Sequence, residues 1–243
     1  MTTTPTPALP PVQVFESGDA ALRVVASSPD REANWAAVHG LAEWLDAGGP
    51  DGVHGAVPTY DSLLVEFDPG VTSARQVRAF VLLGLRQLEF TGAPARTPRE
   101  FSVPVVYGGE YGPDLERVAE QQQLSVEEII GLHTAKSYVI RCLGAPAGSP
   151  MMDGPDFPLA VPRLKDPRLS VPTGAVSVAG RQAVIAPAAA PGGWCVIGQT
   201  PLTVLDAEAE PLVPYVPGDT LRFHRIQPEE FATYAGRKLE AAR

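Results

Sequence analysis

The chain has 243 residues, 44% hydrophobic and 19% charged, with 19 Lys and Arg against 28 Asp and Glu and a net charge of −9. That length allows one large or two ordinary domains with a sizeable core. The acidity argues against a nucleic-acid backbone or an anionic membrane as main partner, while leaving room for a local basic site that holds a small anion. No apolar run approaches the roughly 20 residues that span a bilayer. The opening MTTTPTPALPPVQ lacks the basic and apolar regions of a secretory signal. Cys142 and Cys195, without CxxC spacing, make neither a zinc site nor a disulfide framework, and a single disulfide between them has no support. A cytoplasmic protein is expected.

Residues 1–11, rich in Thr and Pro, are expected to be a disordered tail. An α+β domain is expected over 12–92. Gln13–Ala26 carries two short strand-like runs around Ser17-Gly18-Asp19. Asp30–Gly48 predicts a helix, with Asp30 as N-cap, Gly48 as stop, and Trp35, Val38, Leu41 and Leu45 at helical spacing. Strands follow near Val53–Pro58 and Ser62–Phe67. A second amphipathic helix is expected over Thr72–Phe90, capped by Thr72 or Ser73, with Val77, Phe80, Val81, Leu85 and Leu88 as its buried stripe. The order β-β-α-β-β-α suits two layers, with the helices on one face of a sheet. Residues 93–100 read as a linker.

Residues 101–230 are expected to form a mainly β domain, and 231–243 a C-terminal tail. Phe101–Tyr107 reads as a strand, GGEYGPD as a loop, and Asp114–Gln122 as a short helix. Ser125 caps a further helix, with Glu127 and Glu128 in its first turn, and Lys136–Leu143 is the next strand. Of the 26 prolines 14, and of the 23 glycines 10, fall in the last 100 residues, after Leu143, so short strands and turns at intervals of roughly 8–12 residues are expected there, the mark of a closed or nearly closed β structure. The stretch APGGWCVIGQTP sets Gly192 and Gly193, suited to positive φ or close approach, before Trp194 and a short strand WCVI.

Few residues carry chemistry by themselves. Glu110, in the loop GGEYGPDL, suits acid–base work or pairing with the free amides at the start of the next helix. Asp114, after Pro113 at a helix start, is expected to cap that helix. His133, in the last turn of a helix, suits proton transfer or ligand binding, or answers the helix dipole; with no other His nearby, no metal is expected. Arg163 and Arg168 stand in two Pro-Arg pairs five residues apart, a candidate anion site that competes with ordinary surface salt bridges. Asp219, in Pro-Gly-Asp, is turn composition. No Walker P-loop, GxSxG, HExxH or GxGxxG occurs.

Taken together, VPVVYGGEYGPDLERVA, LSVEEIIGLHTAKSY, PRLKDPRLSVPTGAVSVAGRQ, PGGWCVIGQTP and PGDTLRF, in this order, and VPTYDSLLVEFDP before them, resemble the family of KipI, allophanate hydrolase subunit 1 and the B component of 5-oxoprolinase (PxpB) over residues from about 13 to 230. The resemblance implies an α+β N-terminal domain followed by a mainly-β cyclophilin-like barrel. It also implies a KipA-like partner (allophanate hydrolase subunit 2, or the C component of 5-oxoprolinase), with a LamB/YcsF-type third subunit in 5-oxoprolinases, and ATP used at the level of the complex. The implied activity is ATP-dependent amide hydrolysis shared between chains, with poor activity expected of this chain alone. Other branches supply the carboxyltransferase half of a urea carboxylase or inhibit a histidine kinase. On this resemblance His133 and Glu110 are the catalytic candidates, and Arg163, Arg168, Gln182, Gly192, Gly193, Trp194, Gln199 and Thr200 the substrate-binding ones. Some positions depart from the family pattern. The aromatic-rich turn is here GAPAGSPMMDG (Gly144–Gly154), the Pro-Arg-Arg is Pro162-Arg163-Leu164, the Gly-Arg-Thr-Pro is Gly198-Gln199-Thr200-Pro201, and QTGIYP is QAVIAP. These changes remove stacking surface and cationic donors from the ligand-facing loops.

Overall fold

The structure is a computed structural model that describes residues 9–91 and 96–242. Residues 1–8 of the expected tail and 93–95 of the expected linker lie outside it. Two compact units divide at Arg96/Thr97.

In the first unit β1 (Val12–Glu16), β2 (Ala21–Ala26), β3 (Val53–Pro58) and β4 (Ser62–Phe67) form an antiparallel sheet in the order β1-β2-β4-β3. Strand alternation explains which side is covered. Leu22, Val24 and Ala26 of β2 and Leu63, Val65 and Phe67 of β4 are buried, and share a core with Val38, Leu41 and Leu45 of α1 (Arg31–Gly48) and Val77, Val81 and Leu88 of α2 (Ala74–Thr91). The helix starts follow the expected capping chemistry. Asp30 accepts the Ala33 N–H at 3.0 Å, and Ser73, rather than Thr72, exchanges hydrogen bonds with Gln76. Trp35 is only half-buried and stacks on His39, with centroids 4.3 Å apart.

In the second unit seven strands close into a barrel: β5 (Glu100–Tyr107), β6 (Ser137–Gly144), β7 (Ser149–Asp153), β9 (Ala175–Ala179), β10 (Gln182–Ile185), β12 (Cys195–Gln199) and β13 (Thr220–Arg225), in the order β10-β7-β6-β13-β5-β12-β9. Closure removes the sheet edges. The β5–β13 pair is parallel, from Thr220 opposite Glu100 to Arg225 opposite Val105, and the other pairs are antiparallel. Pro104 falls where β5 pairs with β13 but not with β12, so its missing N–H breaks no second ladder. Helices α3 (Leu115–Gln122) and α4 (Val126–Thr134) contribute Leu115, Val118, Ile129 and Ile130 to the core, and Ser125 with Glu128 forms the capping box of α4. A two-stranded ribbon, β8 (Arg168–Val171) with β11 (Ala190–Gly192), stands outside the barrel.

Two expectations change. Residues 231–242, expected as a tail, fold back after a helical turn α5 (Phe231–Tyr234). Ala241 bridges to Phe101, Lys238 to Thr203, and Leu239 is 3% exposed within the barrel core. The apolar Leu239 drives this docking, since burying it removes a large aliphatic surface from water. Trp194 lies outside the strand expected of WCVI, which begins at Cys195. Both cysteines are free and buried.

Candidate functional site

Five of the sequence candidates, Arg163, Arg168, Gly192, Gly193 and Trp194, come together where the β8–β11 ribbon meets the start of α3. The organising group is Asp114. Its backbone sits at the start of α3, yet its side chain accepts nothing from the helix amides, contrary to the expected cap. Its two oxygens are instead taken by the Arg168 guanidinium, Nη1 to Oδ2 at 2.8 Å and Nη2 to Oδ1 at 2.9 Å, and Oδ2 also accepts the Val196 N–H at 2.7 Å. Two bonds from a cationic guanidinium outweigh a single bond from a neutral helix amide, which is why the carboxylate turns this way. The Asp114 side chain is 7% exposed and that of Arg168 30%. The hydrogen bonds that Arg168 donates to Asp114 raise its pKa above the ordinary value. Arg168 is therefore committed to an internal partner, with part of its side chain still exposed.

Arg163 differs. It is exposed, and its guanidinium carbon lies 5.8 Å from the centroid of the Trp194 ring, within cation–π range. No hydrogen bond or ion pair engages that guanidinium among the described residues. Trp194 is half-buried and lies outside the barrel core. The loop carrying Arg163 is fastened to the turn by the Leu164 N–H, which donates to the Gly193 carbonyl at 2.7 Å. Gly192 and Gly193 do not use positive φ. Close approach explains Gly192, since a Cβ there would stand 3.0 Å from Val171 Cγ2, whereas a Cβ on Gly193 would make only ordinary contact, 3.5 Å from Pro167 Cγ. Beside them Cys195 is 1% exposed, and burial, then the Asp114 charge, push its thiol pKa up, so it is a packing group and not a nucleophile.

The other candidates lie apart from this stack. His133 is fully buried, its Nδ1 hydrogen-bonded to the Tyr107 hydroxyl at 2.7 Å, its ring against Tyr138 and Phe223, and its Nε2 without a partner. Burial pushes its pKa down to about 3. The structure thus offers no open face of this imidazole to a ligand and favours its neutral form. The same burial pushes the Tyr107 phenol well above its ordinary range. Glu110 is exposed in the loop before α3, with no hydrogen bond or ion pair among the described residues. Gln199 Nε2 donates to the Thr173 carbonyl at 2.8 Å, and the Thr200 N–H donates to the Gly174 carbonyl at 2.9 Å. Both brace the 172–175 turn, where Gly174 has φ +80° and a Cβ would meet the Thr200 oxygen at 2.2 Å. Gln182 pairs with Asp153 across β10 and β7. Asp219 is more than turn composition. It is 0% exposed and accepts from the Arg99 N–H, the Arg99 guanidinium and the Val216 N–H. Among the described residues no group of three or more His, Cys, Asp or Glu could hold a metal ion, and no helix is long and apolar enough to cross a membrane.

Sequence reasoning missed Asp114 as the partner of Arg168. Fifty-four positions separate them, and nothing local marks the pair.

Comparison with known proteins bears on the chain and its fold. The family model described as carboxyltransferase domain, subdomain C and D, matches residues 12–215. The chain is similar to the B component of 5-oxoprolinase from Bacillus subtilis, 34% identical over 232 residues, covering 91% of this chain and 96% of that protein. Among solved structures it is similar to TTHA0988, 33% identical with a TM-score of 0.70, covering 89% of this chain and 40% of that one, so it spans well under half of that relative's length. Its fold is that of a portion of the Kluyveromyces lactis urea carboxylase, with a TM-score of 0.78 at 15% identity over 96% of this chain and 24% of that one.

Proposed function

Because the chain belongs to the carboxyltransferase-domain family, subdomains C and D, we propose that it serves in the cytoplasm as one subunit of a heteromeric, ATP-dependent amide hydrolase of the 5-oxoprolinase type, acting with a KipA-like subunit and a LamB/YcsF-type third subunit. Likeness along nearly the whole chain to a protein named as the B component of 5-oxoprolinase supports the reading.

The observation that carries it is Arg163, an exposed guanidinium lying over Trp194 with no carboxylate of its own among the described residues. A guanidinium fork suits a carboxylate, and an indole face suits a flat ring. 5-Oxoproline has both features, a carboxylate and a nearly planar cyclic amide. Arg163 would hold the acid, Trp194 would lie against the ring, and Gly192 and Gly193 would let the ligand approach the backbone. Glu110, exposed and close in sequence to Asp114, remains the proton-transfer candidate of this chain, and His133 leaves that role. ATP is assigned to the assembly, and no step on this chain is derived from it.

A second reading, carboxyl transfer as in urea carboxylase, is favoured by the fold likeness to that enzyme. Co-purification with a KipA-like subunit, followed by ATP hydrolysis with and without 5-oxoproline, separates the two. Stimulated hydrolysis supports the first reading. A stable complex without stimulated ATP hydrolysis that moves the carboxyl group of supplied carboxybiotin to an acceptor such as urea, releasing free biotin, supports the second, and failure to form any complex rejects both.

A further inference from the structure

A single carboxylate holds both ends of the Gly-Gly-Trp turn. On the far side of Trp194, Asp114 Oδ2 accepts the Val196 N–H at 2.7 Å. On the near side, Arg168, whose guanidinium Asp114 grips with both oxygens, is the β8 residue that pairs with Gly192 of β11. Positions 192 and 196 are thus tied to the same buried group, with Trp194 midway between them. The Leu164 N–H, bonded to Gly193 at 2.7 Å, adds the Arg163 loop to the same assembly. The start of α3 is fixed to it as well, because the Asp114 N–H donates to the Val196 carbonyl at 3.0 Å.

We propose that Asp114 is a positioning residue, a brace that sets the Trp194 indole and, through the 162–167 loop, the Arg163 guanidinium at a fixed place and angle. Three features distinguish a brace from general packing. The pair is nearly dry on the Asp114 side, so its charge is little screened. It is bidentate, so it resists rotation as well as separation. It links segments far apart in sequence, 54 residues for Arg168 and 82 for Val196, across a ribbon that is not part of the closed barrel. Without it, the ribbon would keep its own β8–β11 ladder and the Leu164–Gly193 bond but lose its fixed angle to β12. A role in ligand capture rests on the reading of Arg163 and Trp194 given above. The fixing of the turn does not.

The test uses the full chain labelled with 5-fluorotryptophan. The sequence has three tryptophans, Trp35, Trp44 and Trp194, and the first two lie on α1 in the other unit, so they serve as internal controls. The Trp194 signal is assigned with Trp194→Phe. Asp114→Asn is expected to shift or broaden the Trp194 fluorine signal, to leave those of Trp35 and Trp44 in place, and to speed exchange of the Val196 amide about tenfold, the loss of one buried charge-assisted bond. Arg168→Met, which keeps the Val196 acceptor but cuts the tie to β8, is expected to shift the Trp194 signal with a smaller effect on that amide. An unmoved Trp194 signal in either folded variant overturns the proposal. Collapse of the whole second unit in both variants also overturns it, because the pair would then be a contact of the entire barrel rather than of one turn. In the reconstituted complex, Asp114→Asn is expected to raise KM for 5-oxoproline about tenfold with kcat changed far less. If Arg163→Met leaves KM unchanged while the Trp194 signal still moves in Asp114→Asn, the brace stands and the substrate reading falls.

Discussion

Acidification is expected to destabilise the barrel through His133. This residue is fully buried and its pKa is pushed from 6.5 down to about 3 by the loss of solvent around the charged form. The groups facing the ring are Tyr107, Tyr138 and Phe223, none of which supplies a negative charge near neutral pH. Below pH 6.5 the unfolded chain takes up a proton at this position and the folded chain does not, so folding stability is complete above 6.5 and falls as the pH is lowered toward 3. Each pH unit in that window costs about 1.4 kcal/mol, so between pH 7 and pH 5 the loss is about 2 kcal/mol. The assayed interval, pH 7 to 5, lies above the range where ordinary carboxylates protonate. His224, whose pKa burial also lowers, adds a slope of the same sign, but that slope is common to the protein and its variant and cancels in their difference. The assay is chemical denaturation at pH 7 and pH 5 of the protein and of His133→Phe. The variant keeps an aromatic ring against Phe223 and costs about 1–3 kcal/mol at both pH values for the orphaned Tyr107 hydroxyl, and it is expected to lose about 2 kcal/mol less on acidification. Equal losses would refute the reasoning and mean that His133 takes a proton in the folded state after all.

Two further predictions concern groups whose importance emerges only in three dimensions. Asp219→Ala removes a fully buried carboxylate from three donors and is expected to cost about 3 kcal/mol by denaturant titration. A cost below about 1 kcal/mol, the usual value for an exposed pair, would show that the site is hydrated. Leu239→Ala is expected to cost about 2–5 kcal/mol, because Leu239 is 3% exposed in the barrel core. An unchanged melting temperature would return residues 231–242 to the status of a tail.

What the sequence made legible is what local chemistry controls. Asp30 and Ser125 cap helices because a short polar side chain satisfies amides two or three residues on. Leu22, Val24 and Ala26 alternate because one side of their strand is covered. The differences all concern long-range partners. The same composition, carboxylate after proline at a helix start, is compatible with a cap, and only the arrival of Arg168 from β8 decides that Asp114 does something else. His133 sits on an exposed-looking helix end, and it is β5, β6 and β13, closing over it with Tyr107, Tyr138 and Phe223, that seal it. Gly192 permits close approach, as its composition suggests, but the neighbour that makes it necessary, Val171, comes from the facing strand of the ribbon.

The most direct test of the central claim is the 5-oxoproline dependence of ATP hydrolysis by the reconstituted complex, measured with the natural chain and with Arg163→Met. The account predicts stimulation by 5-oxoproline in both, with the half-saturating concentration raised about tenfold or more in the variant, the loss of one charge-assisted contact to a carboxylate. Superimposable saturation curves would contradict it and remove Arg163 from the ligand site.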